Sequence, residues 1–209
     1  MMSTNLYDRH VLPHLIAWAM RHRTLSPYRA RIAVQATGHV LEIGIGSGLN
    51  LPFYDRASVA AVVGLDPSPA LLAKAHKAAV AAGIALTTIE GSAESIPLES
   101  SSIDTVVMTW TLCSINDPAR ALAEIRRVLK PGGRLLFVEH GRALDAGVLR
   151  WQRRLTPLWK RCSGGCHLDR AIDKLIEEAG FGLERIDRAY MDGPRLFTFM
   201  YEGAARRYV

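Results

Sequence analysis

Cysteine is scarce in this chain, long apolar runs are missing and acidic groups are outnumbered. Cys113, Cys162 and Cys166 are the only cysteines among 209 residues, too few and too unevenly placed for a disulfide framework, so reduced thiols are expected. No segment approaches the roughly 20 apolar residues that a bilayer-spanning helix requires. The stretch from Met1 to Asp8 lacks the basic-then-apolar layout of a secretory signal, and a cytoplasmic protein is expected. Internal repeats and low-complexity linkers are also missing. What remains is ordinary globular usage, with 49% hydrophobic and 22% charged residues, which excludes a disordered or polytopic chain. The length suits one compact domain with a short appendage better than two full domains.

The net charge is +6, and its excess is local. Residues 1–40 hold five arginines against Asp8, and residues 142–170 hold seven basic groups against Asp145 and Asp169. Such segments attract anionic substrates, an anionic membrane surface or nucleic acid, or simply form solvated faces. Metal binding is disfavoured. The run Cys162-Ser163-Gly164-Gly165-Cys166-His167 has one residue too many for the pair and histidine that attach haem, and no second pair completes a zinc site.

From residue 39 onward short β-like segments alternate with helix-like ones, the pattern of an open α/β sheet. Candidate strands are His39–Ile43, Ala60–Leu65, Ala85–Glu90, Ile103–Thr109, Arg134–Glu139, Leu183–Tyr190 and Arg195–Tyr201. Candidate helices cover Pro69–Ala82, closed by Gly83, and Asp117–Leu129, opened by an Asp-Pro cap and closed by Lys130-Pro131-Gly132-Gly133. Further helical spacing covers residues 10–23 and 168–179. The chain divides into an N-terminal helical cap (1–38), a ligand-binding core (39–140), a basic lid or acceptor segment (141–170) and a closing helix with strands (171–209).

In that basic segment, helical spacing sets Val148, Trp151, Leu155, Leu158 and Trp159 on one side, with Arg150, Arg153, Arg154, Lys160 and Arg161 on the others. A lid over a hydrophobic acceptor, a helix lying on an anionic membrane surface, and a helix packed on the sheet all fit this arrangement. Pro157 should interrupt it.

The most informative stretch is Val40-Leu41-Glu42-Ile43-Gly44-Ile45-Gly46-Ser47-Gly48-Leu49-Asn50, a buried-strand pattern running into a glycine-rich turn. A dinucleotide fingerprint would place its third glycine where Leu49 stands. At the tip of the next strand, Val62-Val63-Gly64-Leu65-Asp66, Asp66 lies twenty-two positions after Gly44. A carboxylate there can accept hydrogen bonds from both ribose hydroxyls of a nucleoside at the carboxyl edge of a parallel sheet. The bland alternative is a turn with a solvated acid.

Four blocks in order then carry a family resemblance: Leu41–Gly48, Gly64–Ser68, Gly91–Pro97 and, after Asp104, Arg127-Val128-Leu129-Lys130-Pro131-Gly132-Gly133. The chain resembles the class I S-adenosylmethionine-dependent methyltransferases, in the small methyltransferase type 11 group. The resemblance implies an open, doubly wound, seven-stranded, mostly parallel Rossmann-like sheet with a C-terminal antiparallel strand. It implies S-adenosyl-L-methionine as cofactor and S-adenosyl-L-homocysteine as product. By the same resemblance the loop of Gly44, Gly46 and Gly48 packs against the methionine part of the cofactor, Asp66 holds the ribose, Ser92, Ala93 and Glu94 lie along the adenine, and Thr109, Trp110 and Cys113 face the methionine end. Glu42, Asn50, Pro67 and Ser68 are further cofactor-binding candidates. Ser92 stands where many relatives carry Asp, which removes a carboxylate contact to the adenine amino group.

Three further segments, Thr111-Leu112-Cys113-Ser114-Ile115, Phe137-Val138-Glu139-His140 and Gly165-Cys166-His167-Leu168-Asp169-Arg170, are similar to the alkyl-thiol methyltransferases. That resemblance implies a small hydrophobic thiol-like acceptor. A thiol with a pKa near 8.5 reacts as its thiolate, so a base or positive field is wanted. His140, just past the fifth strand, is the first candidate and His167 the second, with structural roles as the alternative for each. Tyr7, Trp151 and Trp159 are candidates for the acceptor pocket. Open alternatives are a lipid head group, a quinone precursor, arsenite held by the three cysteines, or a binding protein without turnover. Nucleic acid is not expected, because Thr109-Trp110-Thr111-Leu112-Cys113 stands where an RNA-methylating enzyme would carry its acceptor motif.

Overall fold

The computed structural model describes residues 19–208. Tyr7 and residues 10–18 of the helix expected over residues 10–23 lie outside them. Seven strands form one sheet: β1 (Gly38–Ile43), β2 (Val59–Asp66), β3 (Leu86–Glu90), β4 (Ile103–Thr109), β5 (Leu129–His140), β6 (Phe181–Tyr190) and β7 (Phe199–Arg207). Their order is β3-β2-β1-β4-β5-β7-β6. Strands β1 to β5 run parallel, and β7 inserts antiparallel between β5 and β6. The doubly wound sheet with an antiparallel finish expected from the sequence is thus the observed architecture. The helices are α1 (Ser26–Ala33), α2 (Pro69–Ala82), α3 (Pro118–Val128), α4 (Ala146–Cys162) and α5 (Ile172–Glu178).

Alternation along the strands divides the core between the two faces of the sheet. Leu41, Ile43, Val106, Met108, Leu135 and Phe137 pack with Leu122 and Ile125 of α3 and Ile172 and Ile176 of α5. Val40, Val62, Val107, Leu136 and Val138 face the other way, against Ile32 of α1 and Leu72, Ala75 and Ala79 of α2. Gly83 closes α2 at φ 65° as read, and the Asp117 carboxylate opens α3 by accepting from the Arg120 N–H at 3.0 Å; Lys130–Gly133, read as the stop of α3, belongs instead to β5, which follows directly on Val128.

Three further expectations need correcting. The last strand begins at Phe199, not Arg195, because residues 191–198 form a turn in which the Met191 N–H donates to the Thr198 carbonyl and the Phe197 N–H to that of Pro194. The ladder continues instead through Gly203, Ala204 and Ala205, whose small side chains carry no strand signal. Secondly, α4 runs through Pro157, so that residue does not end the helix. Thirdly, the apolar residues of α4 do not share one inward side: Val148 packs on the core, but the buried positions are the polar Gln152 and Thr156. Gln152 is fully buried and clamps the Ala143 N–H and the carbonyls of Gly141 and Leu196, while Thr156 bonds Asp169 at 3.2 Å. Trp151 and Leu158 consequently face outward.

Candidate functional site

In a sheet ordered β3-β2-β1-β4-β5, the chain reverses direction between β1 and β4, and ligands bind in the crevice beyond the carboxyl ends of those strands. A cavity of about 390 Å³ opens there. Its walls include Glu42, Gly44, Gly46, Asp66, Pro67, Ser68, Thr109 and Trp110, all singled out from the sequence. A second cavity of about 320 Å³ is lined by Ser92, Ala93 and Glu94 and shares Gly44, Pro67, Thr111, Ser114 and Gly164 with the first. The two adjoin as one bent groove.

Glycine is demanded locally by this geometry. Gly46 sits at φ +55°, and a Cβ there would meet nothing nearer than the Gly44 carbonyl at 3.9 Å. The space of its missing side chain is the cavity. Gly48 serves packing instead, since a Cβ would press on Leu51 at 2.6 Å and on the α2 backbone at Ala75. At the β2 tip, one Asp66 oxygen accepts from the Gly46 N–H at 2.9 Å and the other from the Ser68 N–H at 2.9 Å. Burial raises this carboxyl's pKa against those two bonds.

Behind the glycine loop is a buried polar network. Arg29 of α1 donates to Asn50 Oδ1 at 2.9 Å and Thr109 Oγ1 at 3.3 Å. The Asn50 amide in turn donates to Glu42 at 3.0 Å, and the Tyr54 hydroxyl donates to the other Glu42 oxygen at 2.6 Å. Burial dominates both charges: Glu42 is raised to about 7 despite Tyr54, Arg29 and Asn50, and Arg29 is lowered to about 10. Arg29 also lies 4.7 Å from the centre of the Trp110 ring. Trp110 itself has φ 52°, a left-handed conformation that strains a bulky side chain and that clusters at functional sites.

Asn50 is thus a second-layer support of Glu42 and Thr109. Cys113 is buried behind the wall, His140 is buried at the end of β5, and His167 is half-buried with its N–H on the Cys113 carbonyl at 2.8 Å. Among the described residues that line the two cavities there is neither imidazole, nor Trp151, nor Trp159. Trp159 stacks against Phe197 at 4.6 Å, and Trp151 is 55% exposed.

Sequence reading missed Arg29, Met20 and Leu71, and the loop after α4 that contributes Ser163 and Gly164. It also missed Glu139 as an organiser. That buried carboxylate accepts the N–H groups of Thr111 at 2.9 Å and Cys113 at 3.2 Å, and burial raises it to about 7. Arg29 is locally indistinguishable from the other N-terminal arginines, whereas Glu139 lies within the segment Phe137-Val138-Glu139-His140.

The fold and groove define a nucleoside-cofactor enzyme of the open α/β class. Residues 41–137 match the methyltransferase domain family. The chain is 38% identical over 146 residues to thiol S-methyltransferase TMT1B of Rattus norvegicus, covering 68% of this chain and 59% of that relative. It is 30% identical over 182 residues to phosphatidylethanolamine N-methyltransferase of Cereibacter sphaeroides, covering 86% and 84%. Among solved structures, an S-adenosylmethionine-dependent methyltransferase from Aquifex aeolicus superposes with a TM-score of 0.67 at 17% identity, over 93% of this chain and 98% of that one. The chain belongs to the S-adenosylmethionine-dependent methyltransferase family, and S-adenosyl-L-methionine is its cofactor. The match to the mammalian thiol enzyme spans about three-fifths of that relative's length.

Proposed function

We propose that the protein transfers a methyl group from S-adenosylmethionine to a small hydrophobic thiol. The observation that carries this is a convergence. The three segments similar to the alkyl-thiol methyltransferases are far apart in sequence but meet on one wall of the groove. Glu139 holds the Thr111 and Cys113 N–H groups, Arg170 donates to the Leu112 carbonyl, and the His167 N–H donates to that of Cys113.

The residues present fit the cofactor. Ser47 Oγ and Trp110 Nε1 are buried on the cavity wall without a hydrogen-bond partner among the described residues, and such atoms cost free energy unless a ligand takes them up. Asp66 has lone pairs to spare for ribose hydroxyls. Arg29 is a buried cation suited to a carboxylate, and Glu42 is an acid suited to an ammonium group. Bound there, the cofactor supplies an electrophilic methyl on a sulfonium centre. The chain's own work is alignment and water exclusion, with Met20, Leu49, Leu71 and Trp110 as apolar walls. His140 and His167 stand one layer behind Ser114 and Gly164. In this reading they act on the acceptor site through the wall they brace, and His140→Ala lowers turnover.

Steady-state turnover with a series of alkyl thiols, each compared with its alcohol and amine counterparts, tests the proposal. Product from thiols alone is expected. Product from phosphatidylethanolamine vesicles and none from thiols would replace it with a lipid acceptor. The surface of α4 favours that second reading: Trp151 and Leu158, 55% and 65% exposed, lie two helical turns apart on one stripe, and the exposed Leu144 precedes the helix. The exposed Arg150, Arg153, Arg154, Lys160 and Arg161 flank them. An outward apolar stripe with a basic border suits the surface of an anionic bilayer. No described helix is long and apolar enough to cross a membrane.

A further inference from the structure

Behind the groove wall, two thiols and an imidazole meet in a cluster that cofactor binding does not explain. Cys113 follows β4 and Cys166 follows α4; both are free thiols. The Cys113 and Cys166 thiols are interacting neighbours, brought together by the His167 backbone N–H, which donates to the Cys113 carbonyl at 2.8 Å. Cys166 Sγ lies 3.7 Å from His140 Nδ1, and Cys113 Sγ lies 3.6 Å from Ser114 Oγ. His140 Nε2 beside this pair is buried without a partner among the described residues, and the Trp159 indole faces Cys166. Arg170 borders the pair on the cationic side and Glu139 on the anionic side. Burial is unequal, with Cys113 enclosed and Cys166 half-open. By contrast, Cys162 is exposed, and its thiol turns back to the Trp159 carbonyl of its own helix at 3.3 Å.

We propose that Cys166 and Cys113 are an oxidation site, an attacking thiolate and its resolving thiol, which a hydroperoxide converts reversibly into a disulfide across the groove wall. The inference stands whichever acceptor the enzyme methylates. The environment divides the roles: the neighbouring Cys113 thiol, followed by the His140 contact, lowers the Cys166 pKa, while the same pairing and full burial raise that of Cys113. A low-pKa, accessible thiol beside a second thiol is the arrangement that oxidises selectively.

In the first step the Cys166 thiolate attacks the peroxide oxygen. An S–O bond forms, the O–O bond breaks, and the departing alkoxide takes a proton to become an alcohol, leaving Cys166 as a sulfenic acid. In the second step Cys113 loses its proton and attacks that sulfur. The S–S bond forms, the S–O bond breaks, and the hydroxyl leaves with the proton as water. Two thiols are oxidised by two electrons, and one hydroperoxide is reduced to one alcohol and one water. Ser163 and Gly164 on one side, and Thr111 and Ser114 on the other, line the groove. The bond therefore ties together two segments of the wall that lines the groove.

The test treats the full-length protein with substoichiometric cumene hydroperoxide, blocks remaining thiols by alkylation and maps the peptides by mass spectrometry. The expected product is a peptide pair joined through Cys113 and Cys166, with Cys162 alkylated, and dithiothreitol reverses it. Cys162→Ser retains this product. Cys166→Ser loses it, and Cys113→Ser leaves a Cys166 sulfenic acid that dimedone traps. Unvaried protein decides the matter if either buried-site variant fails to fold. Oxidation reaching Cys162 first, or Cys166 accumulating as sulfinic acid beside a reduced Cys113, would overturn the assignment.

Discussion

Replacing Asp66 by Ala isolates the residue on which the ribose assignment depends. Each Asp66 oxygen already accepts one backbone N–H, from Gly46 and from Ser68, so each keeps a lone pair for a ligand hydroxyl. Losing a hydrogen bond to a charged acceptor costs about 1.5–3 kcal/mol, which corresponds to roughly a 10- to 150-fold weaker Kd. The substitution also strips two N–H groups of their acceptor. Part of the effect will therefore appear as lower stability of the apoprotein, by about 1–3 kcal/mol. The two contributions separate experimentally: calorimetric titration with S-adenosylmethionine and with S-adenosylhomocysteine reads binding, and thermal unfolding without ligand reads the fold. Asp66→Asn, which keeps one acceptor oxygen, should fall between wild type and Asp66→Ala in both. Destabilised protein that binds both ligands with unchanged affinity would refute the ribose role and leave Asp66 as a brace for the glycine loop.

Other substitutions test neighbouring parts of the site. Arg29→Ala should weaken S-adenosylmethionine by roughly tenfold or more, as expected for loss of a charge-assisted bond, and leave adenosine affinity unchanged; equal losses would show that Arg29 merely supports the fold. The carboxyl of Glu42 has an ordinary pKa of 4.5 and is raised to about 7 by burial, so the folded state holds its proton more tightly than the unfolded chain does. Its stabilising contribution is full below about pH 4.5 and is lost as pH rises to 7, a difference of about 3 kcal/mol for a shift of this size. Glu139 is raised in the same way, so Glu42→Gln should remove about half of the decline seen in pH-dependent urea unfolding; an unchanged decline contradicts the assignment. Because Trp110 sits at φ 52°, Trp110→Gly should be more stable than Trp110→Ala by about 1 kcal/mol, and the reverse order in chemical denaturation would dispose of the strain.

Much of the groove was legible because its parts obey local rules. The glycine turn after β1 and the acid at the β2 tip are set by strand-end geometry, so motif spacing places Gly44, Gly46 and Asp66 correctly. Gly83 and Asp117 mark helix ends for equally local reasons. Long-range pairing was harder to read. Arg29 reaches Asn50 and Thr109 across the fold, and nothing in its own neighbourhood announces this. On α4 the helical period was visible but its direction was not, because Gln152 satisfies three backbone groups and so occupies the buried side that large apolar residues would ordinarily fill. The late start of β7 has a similar origin: Gly203, Ala204 and Ala205 belong to a strand because β5 and β6 flank them, not because of their own propensity.

Methyl transfer to sulfur is tested most directly by loading the purified protein with S-adenosylmethionine deuterated in its methyl group, adding one equivalent of an alkyl thiol, and following both products by mass spectrometry. The expected result is a thioether carrying the intact labelled methyl, formed in step with S-adenosylhomocysteine. Label that stays on the cofactor with every thiol, while calorimetry shows the cofactor bound, would contradict the thiol reaction and leave the fold and cofactor site standing.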